Sequence, residues 1–423
     1  MKKDAVLARS KPGDNLPFAN AVRANGYLFT SSIYPQDDKG RIVGADPVQG
    51  TTVASPMSVQ ASTCFERLFK LLEEMGSSPE LIVKVDVHLA NVEGYYEFLL
   101  VWRKFFPDDP PARTVIEVGQ TFPFPDALLN IDAVALLKES GLKKQAFCDD
   151  PDPMELEWAP DAVRAGNLVF CSGFPAIDFQ TGLAVGKPEG FPHYGSEPTM
   201  QAVKVFDRLD RVLKKAGSSV ESIVESHLYE PDLMTFNDVD LVWGDRMTIP
   251  PARSSMGIKG LTVPGAVFVP NFIAVVPDDE HEKQDPREGI NWHPDERKVN
   301  FSPTIKAGPW LFFAGQVPCD DFSSVPQAPK GLPYHSALIE SHTRITLELL
   351  KKQMESNGTD WEHCVHVRVF LIEPERDYRG FIRVWREYFP DPSKAPAVSY
   401  VPSTTMMFDG PLVEIDPTCV VKS

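Results

Sequence analysis

The chain has no run of 18 apolar residues, so no helix spanning a membrane is expected. Positive charge is scarce: 42 Lys and Arg stand against 59 Asp and Glu, a net charge of −17. Proteins that bind nucleic acid displace counterions with a basic footprint. The opposite balance here argues against RNA, DNA and anionic membrane surfaces as partners, and leaves room for a small anionic ligand in a local basic pocket. The first residues, Met1-Lys2-Lys3-Asp4-Ala5-Val6, lack the apolar core of a signal peptide, and the cytoplasm is the expected location. Cys64, Cys148, Cys171, Cys319, Cys364 and Cys419 include no Cys-x-x-Cys pair, so scattered thiols are expected rather than a disulfide or zinc framework. There is no nucleotide-binding glycine loop, no His-Glu-x-x-His and no Gly-x-Ser-x-Gly. His363 and His366 flank Cys364, and nothing else beside them suggests a ligand set. Neither cofactor nor metal is expected.

What the chain does have is a repeat. Pro111-Ala112-Arg113 returns as Pro251-Ala252-Arg253 and again as Pro396-Ala397-Val398, a period of roughly 140 residues. A Val-Trp pair precedes each one: Val101-Trp102, Val242-Trp243 and Val384-Trp385. Further upstream a glycine opens a strand-like run, with Gly26, Gly166 and Gly308 leading into Phe29, Phe170 and Phe312. Three domains follow from this order: 1–141, 142–285 and 286–423. The polar, proline-rich and charged stretches between copies read as surface connectors.

Within a copy the pattern predicts strand, strand, helix, strand, helix, strand, strand. The long helix is expected over about 59–74, 201–216 and 341–355, on spacings such as Phe65, Leu68, Leu71 and Leu72. The next strand is expected over 83–89, 223–229 and 365–371, with His88 matched to His227 as packing or hydrogen-bonding residues. The unit is α+β, with helices on one face of a sheet. Two loops, around Tyr194 and His335, are long enough to border a site.

The ordered set Val169-Phe170-Cys171-Ser172-Gly173, Ala216-Gly217-Ser218-Ser219 and Pro251-Ala252-Arg253 resembles the RidA/YjgF family, which includes imine and enamine deaminases. The likeness runs through all three copies. That family has a chorismate-mutase-like fold and forms homotrimers with sites between neighbours. The resemblance therefore implies an intramolecular pseudo-trimer, sheets inside and helices outside. It implies that Arg113 and Arg253 grip a substrate carboxylate, which suits a planar guanidinium fork. By the same likeness Ser31, Ser172 and Gly173 border the ligand. Phe18 and Trp158 stand for a family tyrosine, keeping an aromatic wall without the hydroxyl. Tyr194 is a further candidate contact.

The acid is where the copies depart. The family's last-strand glutamate is Glu414 in copy three, Asn130 in copy one, and absent from Val269-Pro270-Asn271 in copy two. Glu414 and Asn130 are the candidate catalytic residues, though an amide is a poor base near neutral pH. No single copy keeps both Arg and Glu. The resemblance implies that these two groups come from nearby strands of one domain, although a cleft built by two copies could still unite Glu414 with Arg113 or Arg253. The expected function is a deaminase or related hydrolase acting on a C=N, enamine or other C–N bond of a small carboxylate-bearing molecule. The alternative is a non-catalytic small-molecule-binding or scaffold protein with degenerate clefts. Association of such units into homo-oligomers is left open.

Overall fold

The computed structural model describes residues 17–45, 55–149, 158–178, 182–183, 195–286, 300–319, 325–327 and 337–422. Tyr194 and His335 lie outside them. Each copy starts with a hairpin: Ala21–Ala24 with Tyr27–Thr30, Ala162–Ala165 with Leu168–Cys171, and Thr304–Ala307 with Trp310–Phe313. The two-residue turns need a positive φ, which Gly26, Gly166 and Gly308 supply at 88°, 59° and 56°.

The long helices are Pro56–Glu74, Glu197–Lys215 and Ala337–Ser356. Ser55 and Ser196 cap the first two by accepting the N–H of Ser58 and Thr199. Proline in the first turn loses no helical hydrogen bond there, so the helices begin earlier than the apolar stripe alone suggests. The central strands are Ile82–Leu89, Ile223–Glu230 and Cys364–Leu371. Short helices Tyr95–Phe105, Phe236–Gly244 and Pro374–Tyr388 carry the Val-Trp pairs. They cross over to the parallel arginine strands Ala112–Glu117, Ala252–Gly257 and Ala397–Pro402. The last strands, Leu129–Leu136, Val269–Val275 and Val413–Val420, pair antiparallel between hairpin and central strand.

The fold is α+β, with four principal cores. One lies under the helices of each copy, around Phe65, Phe206 and Leu347. The fourth is shared: Tyr27, Phe29, Val83, Leu168, Phe170, Val224, Trp310, Phe312 and Val365 form one cluster drawn from all three sheets. Every copy touches both others through one recurrent bond. The indole N–H of Trp102 donates to Trp158 O at 2.7 Å, that of Trp243 to Asn300 O at 2.8 Å and that of Trp385 to Pro17 O at 3.0 Å. Sheet edges are continued across copies as well. Gly260–Leu261 extends the first sheet, and Thr405–Met406 the second. The connectors also contribute: Lys144–Phe147 pairs with Ala162–Ala165, and Lys283–Gln284 with Lys306 and Ala307. No helix among the described residues is long and apolar enough to cross a membrane.

The strand register corrects one expected equivalence. Lys84 faces Ala112, Glu225 faces Ala252 and His366 faces Ala397. The equivalent triplets are therefore Lys84/Glu225/His366, Asp86/His227/Arg368 and His88/Tyr229/Phe370. His227 stands where copy one has Asp86, not His88. Asp86, His227 and Arg368 meet in a buried polar network, with Lys84 beside Asp86. Arg368 is ion-paired with Asp86 and lies 3.4 Å from His227 Nδ1. His227 Nε2 is 2.9 Å from Asp416, and Asn271 donates to Asp86 at 2.9 Å. Lys84 donates to Thr114 at 2.6 Å and, across the junction, to Cys171 O at 2.5 Å. Burial alone would raise the Asp86 carboxyl, but Lys84, Arg368 and the Asn271 amide hold it well below the usual carboxylate range. Asp132, buried beside Asp86, is pushed up to about 7.

Two outcomes follow. Arg368→Met strands Asp86 without its guanidinium, and the expected loss is about 3 to 5 kcal/mol of unfolding free energy in a urea titration. Burial pushes His88 down to about 4 from its ordinary 6.5. Above about 6.5 it is neutral whether folded or unfolded, so its contribution is complete there. Below that, only the unfolded chain takes the proton, and the contribution is lost as pH falls toward 4. Wild type is expected to lose stability relative to His88→Gln between pH 7.5 and 4.5, measured by unfolding both proteins at each pH.

Candidate functional site

The arginine strand of each copy lies against the hairpin end of the next. In the copy one–two junction, the Ser172 hydroxyl accepts the Arg113 backbone N–H at 2.9 Å and donates to Pro160 O at 2.5 Å. In the copy three–one junction, the Ser31 hydroxyl accepts the Val398 N–H at 2.8 Å and donates to Ala19 O at 2.5 Å. Both serines tie copies together. Ser31 stands against Val398, so it shares no cleft with an arginine. Ser172 and Gly173 border Arg113.

The same hydrogen bonds correct the aromatic alignment. The backbone N–H groups of Ser31, Ser172 and Ala314 donate to Asn20, Asp161 and Pro303. The residues two before these are Phe18, Ala159 and Phe301. Ala159 occupies the aromatic position of copy two, and Trp158 is one residue off it. Trp158 instead donates to Phe106 O at 2.6 Å and accepts from Trp102, acting as a tether between copies. Phe18 packs edge-on against Tyr400 with ring centroids 5.7 Å apart, in the Val398 junction. Phe301 lies 5.6 Å from the Arg253 guanidinium.

This small residue leaves room. A cavity of about 30 Å³ opens between copies one and two, lined by Tyr95, Arg113 and Val115 from one side and by Ala159, Asp161, Ser172, Gly173, Phe174, Arg208 and Thr262 among others from the other. The Arg113 guanidinium lies over the Trp102 ring at 4.7 Å and donates to Tyr95 Oη at 2.8 Å. The aromatic face helps hold the cation in place. Asp161 is ion-paired with Arg208 at 2.5 Å and accepts the Asp149 N–H at 2.7 Å. Burial raises its carboxyl pKa against the opposing pull of Arg208. Neither Asp161 nor Arg208 was among the residues singled out from sequence. A legible signal for Arg208 was its place inside the apolar stripe of Val205, Leu209 and Val212.

Arg253 is placed differently. Its guanidinium is ion-paired with Asp240 at 2.5 Å. Asp240 also accepts from the Asn300 amide at 2.7 Å. Glu414 faces this junction. A Cβ at Gly315 would overlap Glu414 Oε1 and come within 2.8 Å of Ser254 Oγ, next to Arg253. In the Arg113 junction, a Cβ at Gly173 would meet Thr114 and Val269 instead. At these two glycines the last-strand residue of one copy and the residue after the arginine of the preceding copy come together: Glu414 with Ser254, and Val269 with Thr114. Burial, with Asp416 adding to it, holds the Glu414 carboxyl well above its ordinary pKa. Glu230, another buried acid of copy two, is pushed up to about 7 by burial and is pulled down by Arg253. Asn130 lies 2.9 Å from His88, and its neighbour Ile131 bridges Ile33. The adjoining Ser32 donates its N–H to Val398 O, so Asn130 belongs to the junction without an arginine.

No group of three or more His, Cys, Asp or Glu among the described residues could hold a metal ion. Ala159→Phe restores the ring that the other junctions carry and fills the cavity. Calorimetric titration with pyruvate is expected to show binding to wild type and none to this variant.

Comparison with known proteins agrees with the repeat. The Endoribonuclease L-PSP family matches residues 9–137, 152–276 and 295–421. A RutC family protein of Pyrococcus abyssi is 26% identical over 135 residues, 32% of this chain and 98% of that protein. The 3-aminoacrylate deaminase RutC of Acinetobacter baylyi is 25% identical over 135 residues, again 32% and 98%. The chloroplastic Reactive Intermediate Deaminase A of Arabidopsis thaliana is 24% identical over 137 residues, 32% of this chain and 67% of that protein. The crystal structure of yeast Mmf1 is 27% identical and covers 31% of this chain and 98% of its own, with a TM-score of 0.27. With a match in each of three successive repeats, the chain belongs to the Endoribonuclease L-PSP family.

Proposed function

We propose that the chain is a deaminase acting on the C=N or enamine bond of a small carboxylate-bearing molecule, in the cleft between copies one and two. The observation that carries this reading is the cavity at Arg113, the one arginine junction with an alanine at the aromatic position. Its three domains, 1–141, 142–285 and 286–423, form an intramolecular pseudo-trimer in this reading, supported by the tryptophan bond repeated between every pair of copies. Relatives named as deaminases point to the same chemistry.

In this cleft Arg113 holds the carboxylate, and Tyr95 holds Arg113. Asp161 takes the acid–base role that Val269 cannot fill. Water adds to the imine carbon, its proton passes to the Asp161 carboxylate, and the C=N electron pair moves onto nitrogen. Asp161 returns that proton to nitrogen, giving the neutral carbinolamine; it then takes the hydroxyl proton and passes it to nitrogen, so that the C–N bond breaks, its electron pair leaves with ammonia, and the hydroxyl oxygen forms the carbonyl. Burial raises the Asp161 pKa, favouring proton uptake, while Arg208 limits how far that goes.

A second reading, binding without chemistry, is favoured by the state of the other two junctions, where Arg253 meets Asp240 and Val398 replaces arginine. Turnover separates the two. Imines generated from several amino acids are incubated with the protein and their loss is followed. Arg113→Ala is expected to lower kcat/KM by about 10- to 100-fold, as for removal of a charged hydrogen bond. Asp161→Asn is expected to lower kcat by about 100-fold or more with little change in KM. No turnover by wild type overturns the enzymatic reading. Unchanged turnover in both variants removes their assigned roles.

A further inference from the structure

The acid of the first cleft is held from two sides. Asp161 Oδ1 accepts from Arg208 Nη2 at 2.5 Å, and the Arg208 guanidinium lies over the Phe174 ring at 4.4 Å. Asp161 Oδ2 accepts the backbone N–H of Asp149 at 2.7 Å. Asp149 belongs to the connector between copies one and two. The connector strand Lys144–Phe147 pairs antiparallel with Ala162–Ala165, Phe147 opposite Ala162, and this register carries Asp149 alongside Asp161. The segment is tied down at both ends. Lys144 is ion-paired with Asp109 at 2.9 Å and donates to Ile82 O at 3.3 Å, both in copy one. The Asp149 carboxylate accepts the fork of Arg211, from Nε at 3.1 Å and from Nη2 at 2.6 Å, and Lys215 donates to Cys148 O at 2.8 Å. Both cations come from the long helix of copy two. A two-pronged guanidinium bond fixes orientation as well as distance. Copies one and three have no acid at this place: the hairpin bonds put Asn20 and Pro303 where copy two has Asp161.

We propose that the connector is a working part of this cleft: Asp149, latched by Arg211, is a positioning residue that holds the Asp161 carboxylate through its backbone N–H. The inference rests on the reading of Asp161 as the acid–base group. The latch ties the acid of copy two to the copy that brings Arg113, so the distance between grip and acid is set by one short stretch of chain. Catalytic groups lose rate steeply when their placement loosens by a fraction of an ångström. The groups that face Asp161 are Arg208 and Arg211 from the long helix, Asp149 from the connector, Cys171 from the hairpin and Arg113 across the cavity. Burial pushes the Cys171 thiol up to about 12, so it stays neutral. Burial raises the Asp161 carboxyl; Arg208 and then the Asp149 N–H pull it down, and the Asp149 carboxylate opposes them more weakly. Releasing the latch removes the N–H together with that weaker opposing charge. Asp161 then takes its proton at higher pH.

The experiment uses the full chain and two readouts, imine turnover against pH and the carboxyl titration of Asp161. The titration is followed by NMR on protein labelled with carboxyl-¹³C aspartate, its signal assigned by loss in Asp161→Asn. Arg211 is half exposed, so Arg211→Met is expected to fold. This variant is expected to lower kcat by about 5- to 10-fold, as for loss of one hydrogen bond, with KM unchanged. The acid limb of its kcat profile and its Asp161 titration are both expected at higher pH than in wild type. Arg211→Lys keeps the ion pair and is expected to restore most of kcat and the wild-type titration. Asp149→Pro, which removes the N–H itself, is expected to lower kcat at least as far; if it does not fold, Arg211→Met carries the test. A folded Arg211→Met that is merely less stable, with kcat, acid limb and Asp161 titration all as in wild type, overturns the proposal. A wild type without turnover removes the catalytic reading of Asp161. The titration then decides the latch alone: a move to higher pH in Arg211→Met supports it, and no move overturns it.

Discussion

Arg368, held between Asp86 of copy one and His227 of copy two, is the contact on which the arrangement of the three copies depends. The three residues are equivalents, one from each central strand. A cation, an anion and an imidazole meet at a place where three identical chains would have to bring three like side chains together. Three arginines or three aspartates in that volume would repel strongly in the low dielectric of a protein interior. Removing any partner leaves an uncompensated buried charge. The network therefore does more than offset desolvation: it makes the copies unlike at the position where they meet, and so specifies which copy faces which. The neighbouring triplet, Lys84, Glu225 and His366, also differs from copy to copy, and each member bonds elsewhere: Lys84 to Thr114 and Cys171 O, Glu225 to Thr418, and His366 to Ser399. Here burial, with Arg368 nearby, pushes the His366 ring down to about 3.

Once the copies are unlike at their meeting point, the junctions are released from symmetry too. Each is assembled from the arginine strand and short helix of one copy and the hairpin end and last strand of the next. The first has arginine, serine and open space. The second has arginine and glutamate, but also Asp240 and Phe301. The third has valine, and its serine serves only to hold the copies together. A change such as alanine for phenylalanine at position 159 opens one junction without loosening the others, because the tryptophan bonds and the shared apolar core carry the association separately.

Much of the fold was legible before any coordinates. The glycines before each hairpin, the long amphipathic helices and the Pro-Ala-Arg series place the elements within a few residues. The Val-Trp pairs were visible only as repeat markers, and their role as bonds between copies was not. Two alignments slipped: Trp158 for Ala159 by one residue, and His88 with His227 by two, since His227 stands in the register position of Asp86. A one-residue error on a strand moves a side chain to the other side of the sheet, whereas a two-residue error keeps the face, and nothing in a polar connector or in the pattern of a buried strand with residues of several kinds fixes the count. Asp161 and Arg208 were missed because each is ordinary in its local setting, and their meaning arises from facing Arg113 across a junction.

The sequence by itself determined that one α+β unit occurs three times, that acidic residues outnumber basic ones, and that two copies carry an arginine where the third has a valine. These follow from periodicity and composition, which are local properties of the chain. Tertiary structure alone decided that Arg113 borders a cavity between copies, that Arg253 is met by a carboxylate of its own copy, and that Glu414 stands beside Ser254. Those facts depend on contacts between residues well over a hundred positions apart. Their pairing is set by how three sheets close upon a shared core, not by any spacing written along the chain.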